Sequence, residues 1–251
     1  MTVHTLDNQR LAPPRRGRVV ALFGMVALSA TATGWLLDGV RERGDLSLWD
    51  GPTLNWLVGH RDAAATMAMT TVTAIGGEVV LAVIAALAVL LLAVRRRQVE
   101  AFLLAAALGS AEAISMVLKH VVGRLRPPAS TMLGPVEHTL SFPSGHTIGM
   151  ATFTLALAYL WWRARPGAKR AWVGWSVATV MTALMATSRL YLGDHWLTDV
   201  VASIVLSWGI VATVVLFDLW MQHRSGQPRW LDGGVAISVA RLRRKGVPLA
   251  D

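Results

Sequence analysis

Apolar and polar positions alternate along this chain in long blocks. Predominantly apolar runs cover Val19–Leu37, Ala74–Val94, Ala101–Val122, Thr147–Trp162, Trp172–Thr187 and Val200–Trp220, with polar or basic stretches between them. A bilayer core roughly 30 Å thick asks about 20 apolar residues of a helix, so each run predicts a membrane-spanning helix. The fourth and fifth runs are short as written, and their helices are expected to extend into the polar residues that flank them. Residues 38–73 mix Leu46, Trp49, Leu54, Trp56 and Leu57 with polar groups. That mixture predicts helical pieces lying in the interface, where tryptophan is favoured. The expected fold is all-α: a six-transmembrane-helix bundle with interfacial helices between spans 1 and 2, and no internal repeat.

Composition sharpens this picture. The 251 residues are 54% hydrophobic and 16% charged, with a mean hydropathy of +0.48, too apolar for a water-soluble domain of that length. Ala30-Thr31-Ala32 resembles a signal-peptide cleavage site, but the apolar run continues through Trp35 to Leu37, so the first span is expected to be retained. The expected organisation is an N-terminal arm over 1–18, a six-span domain over 19–220 and a basic tail over 221–251.

The formal net charge is +9, yet the cations fall in clusters between apolar runs and make no continuous basic face. They read as topology signals, and no nucleic-acid partner is expected. With the N-terminus inside, the N-terminal arm, the Arg95-Arg96-Arg97 cluster, the Arg163–Arg170 loop and the tail all lie on the cytoplasmic side. Arg41, Arg43, Arg61, Lys119, Arg124, Arg126 and Arg189 are left outside. Both termini are thus expected to be cytoplasmic in a multi-pass protein of the cell membrane. There is no cysteine, which excludes disulfides, thiolate metal sites and cysteine nucleophiles.

This orientation gathers the unusual polar residues at one face. Lys119 and Arg126 stand at the outer end of the third run, and their seven-residue spacing puts them on one helical face until Pro127-Pro128 stops the helix. Pro143-Ser144-Gly145-His146 opens the fourth helix, where glycine permits close backbone approach and free N–H groups favour phosphate. Ser188-Arg189 closes the fifth. His195 and Asp199 open the sixth, four residues apart, so the carboxylate can orient the imidazole.

Lys119 with Arg126-Pro127, Pro143-Ser144-Gly145-His146, and Ser188-Arg189 with His195 and Asp199 resemble the three signature motifs of the type 2 phosphatidic acid phosphatase (PAP2) superfamily. The motifs run from Lys119 to Asp199, and the six-span layout carries the resemblance over about residues 19–220. The resemblance implies that His195 attacks phosphorus to form a phosphohistidine while Asp199 holds its other ring nitrogen. It further implies that His146 is the general acid on the leaving oxygen. Lys119, Arg126, Arg189, Ser144 and the Gly145 backbone would then bind the phosphoryl oxygens. A unit-charge pair at 4 Å is worth about 4 kcal/mol at an effective dielectric near 20. Three cations can therefore do electrostatic work often given to magnesium, and neither metal nor other cofactor is expected.

The resemblance implies a membrane phosphatase acting at the extracytoplasmic face. The expected substrate is a lipid phosphate or pyrophosphate, with polyprenyl (undecaprenyl) pyrophosphate first, then phosphatidate or phosphatidylglycerophosphate. Vanadate or phosphate is expected to occupy the site as an inhibitor. A phosphotransferase using the same intermediate is the near alternative. A transporter or scramblase fits less well, because such sites lie near the midplane. Among the remaining polar residues, Glu112 is read either as support for Lys119 or as a structural pair, and Ser188 as support for the site. Arg124 is read as a snorkelling anchor, Glu78 and Arg61 as solvated interfacial charges, and His120 and His138 as bystanders.

Overall fold

The computed structural model describes residues 16–224. Most of the expected arm and tail therefore lies outside the described residues. Among these there is no strand, and eight α-helices follow one another. They are α1 (Arg16–Glu42), α2 (Asp50–Gly59), α3 (Ala63–Ile75), α4 (Glu78–Val94), α5 (Gln98–Val122), α6 (Gly145–Ala164), α7 (Ala168–Tyr191) and α8 (Leu197–Arg224). Short 3-10 turns occupy Asp45–Trp49 and Ala129–Thr131.

A helix stands at each of the six apolar runs, but they are not equivalent. α1, α5 and α8 are long and apolar enough to cross a membrane, and α3 with α4 forms a fourth candidate span bent by 42°. The bend falls at Gly76-Gly77, where the chain leaves one helix and starts the next. α6 and α7 fall outside the same length-and-apolarity criterion. For α6 its position explains this, because it packs against α4, α5, α7 and α8 and is buried on most of its circumference. A helix sheathed by protein need not be apolar all round.

The outward faces are apolar instead. Val20, Phe23 and Leu28 of α1, Val79, Val83 and Leu87 of α4, and Trp172, Val177 and Val180 of α7 are all exposed. Contiguous apolar exposure of that kind marks a face made for lipid or a partner. Inside, Leu81, Leu103, Leu104, Phe153, Tyr159 and Leu160 build the main core where α4, α5 and α6 meet.

Small residues let the helices approach closely. Ser29 Oγ of α1 donates to the Val205 carbonyl of α8 at 2.8 Å, and a Cβ on the neighbouring Gly209 would overlap Ser29. Between α6 and α8, Ser203 Oγ donates to the Ser144 carbonyl at 3.1 Å, Ser207 Oγ to the Ile148 carbonyl at 3.2 Å, and Thr152 Oγ1 to Ser207 Oγ at 3.1 Å. These bonds fix the register of the two helices whose N-termini carry His146 and His195.

At the other end of the bundle a buried ionic cluster locks α5, α6 and α8. Asp218 is fully buried and accepts from Tyr159 Oη at 2.6 Å, Arg163 Nε at 2.6 Å and Nη2 at 3.0 Å, and Gln222 Nε2 at 2.7 Å. Arg163 Nη1 also reaches Glu100 at 3.1 Å. A charge this deep persists only when its lone pairs are filled, as they are here.

Two local expectations are corrected. Arg126 is not on the helix of Lys119: α5 ends at Val122, and Gly123 caps it in the left-handed conformation, φ 63°, with its N–H on the Lys119 carbonyl. The stop is the glycine, four residues before Pro127. His195 likewise precedes α8, in the turn after α7, with only Asp199 in the helix.

Candidate active site

The C-terminus of α5, the N-termini of α6 and α8 and the end of α7 meet at one end of the bundle, and the residues singled out above meet there with them. His195 lies in a turn that closes with the Asp194 N–H on the Arg189 carbonyl and with Gly193 at φ 79°. A Cβ at Gly193 would overlap the Thr131 carbonyl, so glycine lets the Ala129–Thr131 turn close against it. Arg61 ties the same region, donating to the Tyr191 carbonyl at 2.7 Å and to the Thr131 carbonyl at 2.8 Å. It is thus a brace and not the solvated charge expected.

The His195 ring is buried, 1% exposed, and its two nitrogens have different partners. Nε2 stands 3.0 Å from Arg126 Nη1. Guanidinium only donates, so Nε2 must present its lone pair and Nδ1 must hold the proton. Nδ1 faces Asp199 Oδ2 at 3.4 Å. Asp199 Oδ2 also accepts from Ser141 Oγ at 2.5 Å and from the Trp196 N–H at 2.9 Å. Burial pushes the His195 pKa down from 6.5 to about 4, against the pull of Asp199 and with help from Arg126 and Arg189. At neutral pH the imidazole is uncharged, with a lone pair on Nε2.

Around that lone pair are the cations. Arg126 Nε donates to the Thr139 carbonyl at 2.8 Å and Nη1 to the Asp194 carbonyl at 2.9 Å. Arg189 is 2% exposed and pairs through Nη1 with Asp194 at 3.0 Å. Its Nε is buried without an acceptor, an unfilled donor beside a second arginine. Glu137, which the sequence did not single out, bridges the two arginines: Oε1 lies 2.5 Å from Arg189 Nη2 and Oε2 lies 2.6 Å from Arg126 Nη2. Burial works to raise the Glu137 pKa, but Arg189 and Arg126 overcome it and hold the carboxyl below its ordinary value.

Lys119, Gly145 and Glu78 line a neighbouring cavity of about 370 Å³ together with Glu112, Ser115, His120, His138 and Thr139. The chain brings Lys119 Nζ within 3.9 Å of where a Gly145 Cβ would stand, and Glu78 would overlap that Cβ. His146 Nδ1 stands 3.3 Å from Glu78 Oε1, at ion-pair distance but outside hydrogen-bond alignment. Glu78 is therefore a partner of His146 rather than a detached interfacial charge.

Other candidates are turned elsewhere. Ser144 caps α6: its Oγ accepts from Thr147 Oγ1 at 3.1 Å and from the Thr147 N–H at 3.4 Å, and it is fully buried. Ser188 is bonded to Thr73 Oγ1 at 2.7 Å and to the Met185 carbonyl at 3.0 Å, which ties α7 to α3. Glu112 is an exposed residue on the wall of the cavity. Arg124 is no snorkelling anchor. It is mostly buried and donates through Nη1 to Asp199 Oδ1 at 2.6 Å.

Comparison with known proteins agrees with this geometry. Residues 100–222 match the PAP2 superfamily. The chain is 30% identical over 124 residues to phosphatidylglycerophosphatase B of Bacillus subtilis, covering 49% of this chain and 60% of that protein. It is 34% identical over 125 residues to decaprenylphosphoryl-5-phosphoribose phosphatase of Mycobacterium tuberculosis, covering 49% and 64%. A putative undecaprenyl-diphosphatase of Escherichia coli is 32% identical over 121 residues, covering 45% and 56%. These alignments thus span less than two thirds of each relative's length. In three dimensions the chain resembles a transmembrane PAP2-type phosphatidylglycerolphosphate phosphatase from Bacillus subtilis. That likeness has a TM-score of 0.64 and 24% identity, and covers 80% of this chain and 96% of the other. It establishes a common fold.

Proposed function

Because residues 100–222 form a PAP2 superfamily domain, we propose that this chain is a membrane phosphatase that hydrolyses a lipid phosphate or pyrophosphate at the extracytoplasmic face through a phosphohistidine at His195. The observation that carries this reading is the pairing of His195 Nε2 with Arg126 Nη1 at 3.0 Å while Nδ1 faces Asp199. The Nε2 lone pair accepts from a permanent cation, which releases it when phosphorus arrives and keeps its charge beside the attacking atom. In the proposed reaction Nε2 bonds to phosphorus as the bond to the leaving oxygen breaks. His146 delivers a proton to that oxygen, and Asp199 balances the charge that His195 acquires. Water then attacks the phosphohistidine as His146 takes its proton, the P–Nε2 bond breaks, and free phosphate, neutral His195 and protonated His146 result.

Lys119, Arg126 and Arg189 hold the phosphoryl oxygens as transition-state charge grows, without a metal ion. Ser144 contributes through its cap, which orients the N-terminus of α6. The helices at the six apolar runs are read as six spans with both termini cytoplasmic, which puts the site outside and leaves a lipid tail in the bilayer. Polyprenyl pyrophosphate is the first candidate substrate, with phosphatidate and phosphatidylglycerophosphate next. The names of the Escherichia coli, Mycobacterium tuberculosis and Bacillus subtilis relatives support both classes.

The test is phosphate release by the purified protein in detergent from undecaprenyl pyrophosphate, phosphatidate and phosphatidylglycerophosphate, with and without a magnesium chelator. Release that survives chelation is expected. No release from any lipid phosphate would remove the reading.

A further inference from the structure

Asp199 is a fully buried carboxylate, and only one of its oxygens serves His195. The other, Oδ1, is held by Arg124 Nη1 at 2.6 Å. The same guanidinium reaches Thr198 Oγ1 at 2.5 Å through Nη1 and pairs through Nη2 with Asp50. Asp50, 4% exposed, is the first residue of α2. Its Oδ1 accepts from the Thr198 N–H at 2.9 Å, so an interfacial helix caps the first turn of α8. Trp196 completes the clamp, with Arg124 Cζ 5.5 Å from its ring centroid and its indole N–H on the Leu125 carbonyl at 2.9 Å.

Charges therefore alternate along Asp50, Arg124 and Asp199 behind the neutral His195, all withdrawn from solvent, where a unit charge is felt more strongly than in water. We propose that Asp50 and Arg124 are positioning residues for the nucleophile: they fix which oxygen Asp199 presents to His195 and set how much negative charge His195 experiences. This inference rests on the phosphohistidine reading above. α2 thereby becomes part of the catalytic apparatus, although none of its residues reaches the cation cluster.

The remaining groups facing His195 come from every neighbouring element. They are Arg126, Glu137 and Ser141 from the α5–α6 connection, Arg189 from α7, and Asp194 and Asp199 from its own turn and helix. None of these groups is itself replaced when only Asp50 or Arg124 is changed. Arg124→Gln removes a cation behind Asp199, leaving more negative charge on His195 and favouring its protonated form. Asp50→Asn leaves Arg124 less compensated and acts in the opposite sense.

The experiment is the pH dependence of kcat/KM for phosphate release by the full-length wild type, Arg124→Gln, Arg124→Lys and Asp50→Asn on one lipid phosphate. Ionisation of the substrate is common to all four and cancels in the comparison. In Arg124→Gln the acid limb moves up by about one pH unit. In Arg124→Lys, which keeps the charge but loses the two-pronged grip, the rate falls and the limb stays. In Asp50→Asn the limb moves down. An unmoved limb in an active Arg124→Gln protein overturns the inference alone. Should that variant not fold, an unmoved limb in Asp50→Asn does the same. A wild type that releases no phosphate from any lipid phosphate overturns the underlying reading and this inference with it.

Discussion

Arg126 places Nη1 3.0 Å from Nε2 of His195, so the atom proposed to attack phosphorus and a cation proposed to hold its oxygens are in direct contact. The guanidinium is also fixed from three sides, by Thr139, Asp194 and Glu137. Lysine supplies one point charge and cannot reproduce this fork. Arg126→Lys is expected to lower kcat/KM about a hundredfold, in the range for losing one transition-state donor. Steady-state phosphate release checks it.

Glu137 occupies the Nη2 atoms of both arginines with its own carboxylate, and its negative charge opposes an arriving phosphoryl group. Replacing that carboxylate by a neutral amide should ease entry of an anion. Vanadate inhibition is therefore expected to tighten about tenfold in Glu137→Gln, a difference of about 1.4 kcal/mol. Unchanged or weaker inhibition would mean that Glu137 does not compete for the anion site.

The depressed His195 pKa carries a stability consequence whose sign is fixed. Between about 4 and 6.5 the unfolded chain binds this proton and the folded chain does not. The stabilisation is fully present above 6.5 and is lost as pH falls toward 4. Tm measured across that window should fall less steeply in His195→Gln than in the wild type, since glutamine removes the titration.

The Asp218 cluster lies at the opposite end from His195, and its loss should affect folding alone. Removing one partner of a buried ion pair costs about 3–5 kcal/mol. Asp218→Ala is expected to lower Tm markedly in detergent while the kcat of the folded fraction stays near that of the wild type. A variant with normal Tm would show that Arg163 finds another partner.

The extent to which the sequence revealed the structure follows from the range of each signal. Apolar runs are local, so the helices at Val19–Leu37 and Val200–Trp220 were legible, as was the gathering of Lys119, His146, Arg189 and His195 at one end. The bent pair α3 and α4 was half seen, because residues 63–73 read as interfacial and not as part of a span. Partnerships between distant segments left no local trace. Asp50 opens α2 and Arg124 follows α5, 74 residues apart in the sequence, and Glu137 sits in an irregular loop whose sequence carries no motif. Ser144 and Ser188 belong to matched motifs, yet their hydroxyls serve the α6 cap and the α7–α3 contact.

The central claim is that His195 becomes phosphorylated during turnover. Rapid acid-free quenching of the enzyme with a ³²P-labelled lipid phosphate, followed by mass spectrometry of the digested chain, tests it directly. The account predicts a transient, acid-labile phosphoryl group on His195 that is absent from His195→Ala, which in turn releases no phosphate. Phosphate found on another residue, or wild-type turnover by His195→Ala, would contradict it.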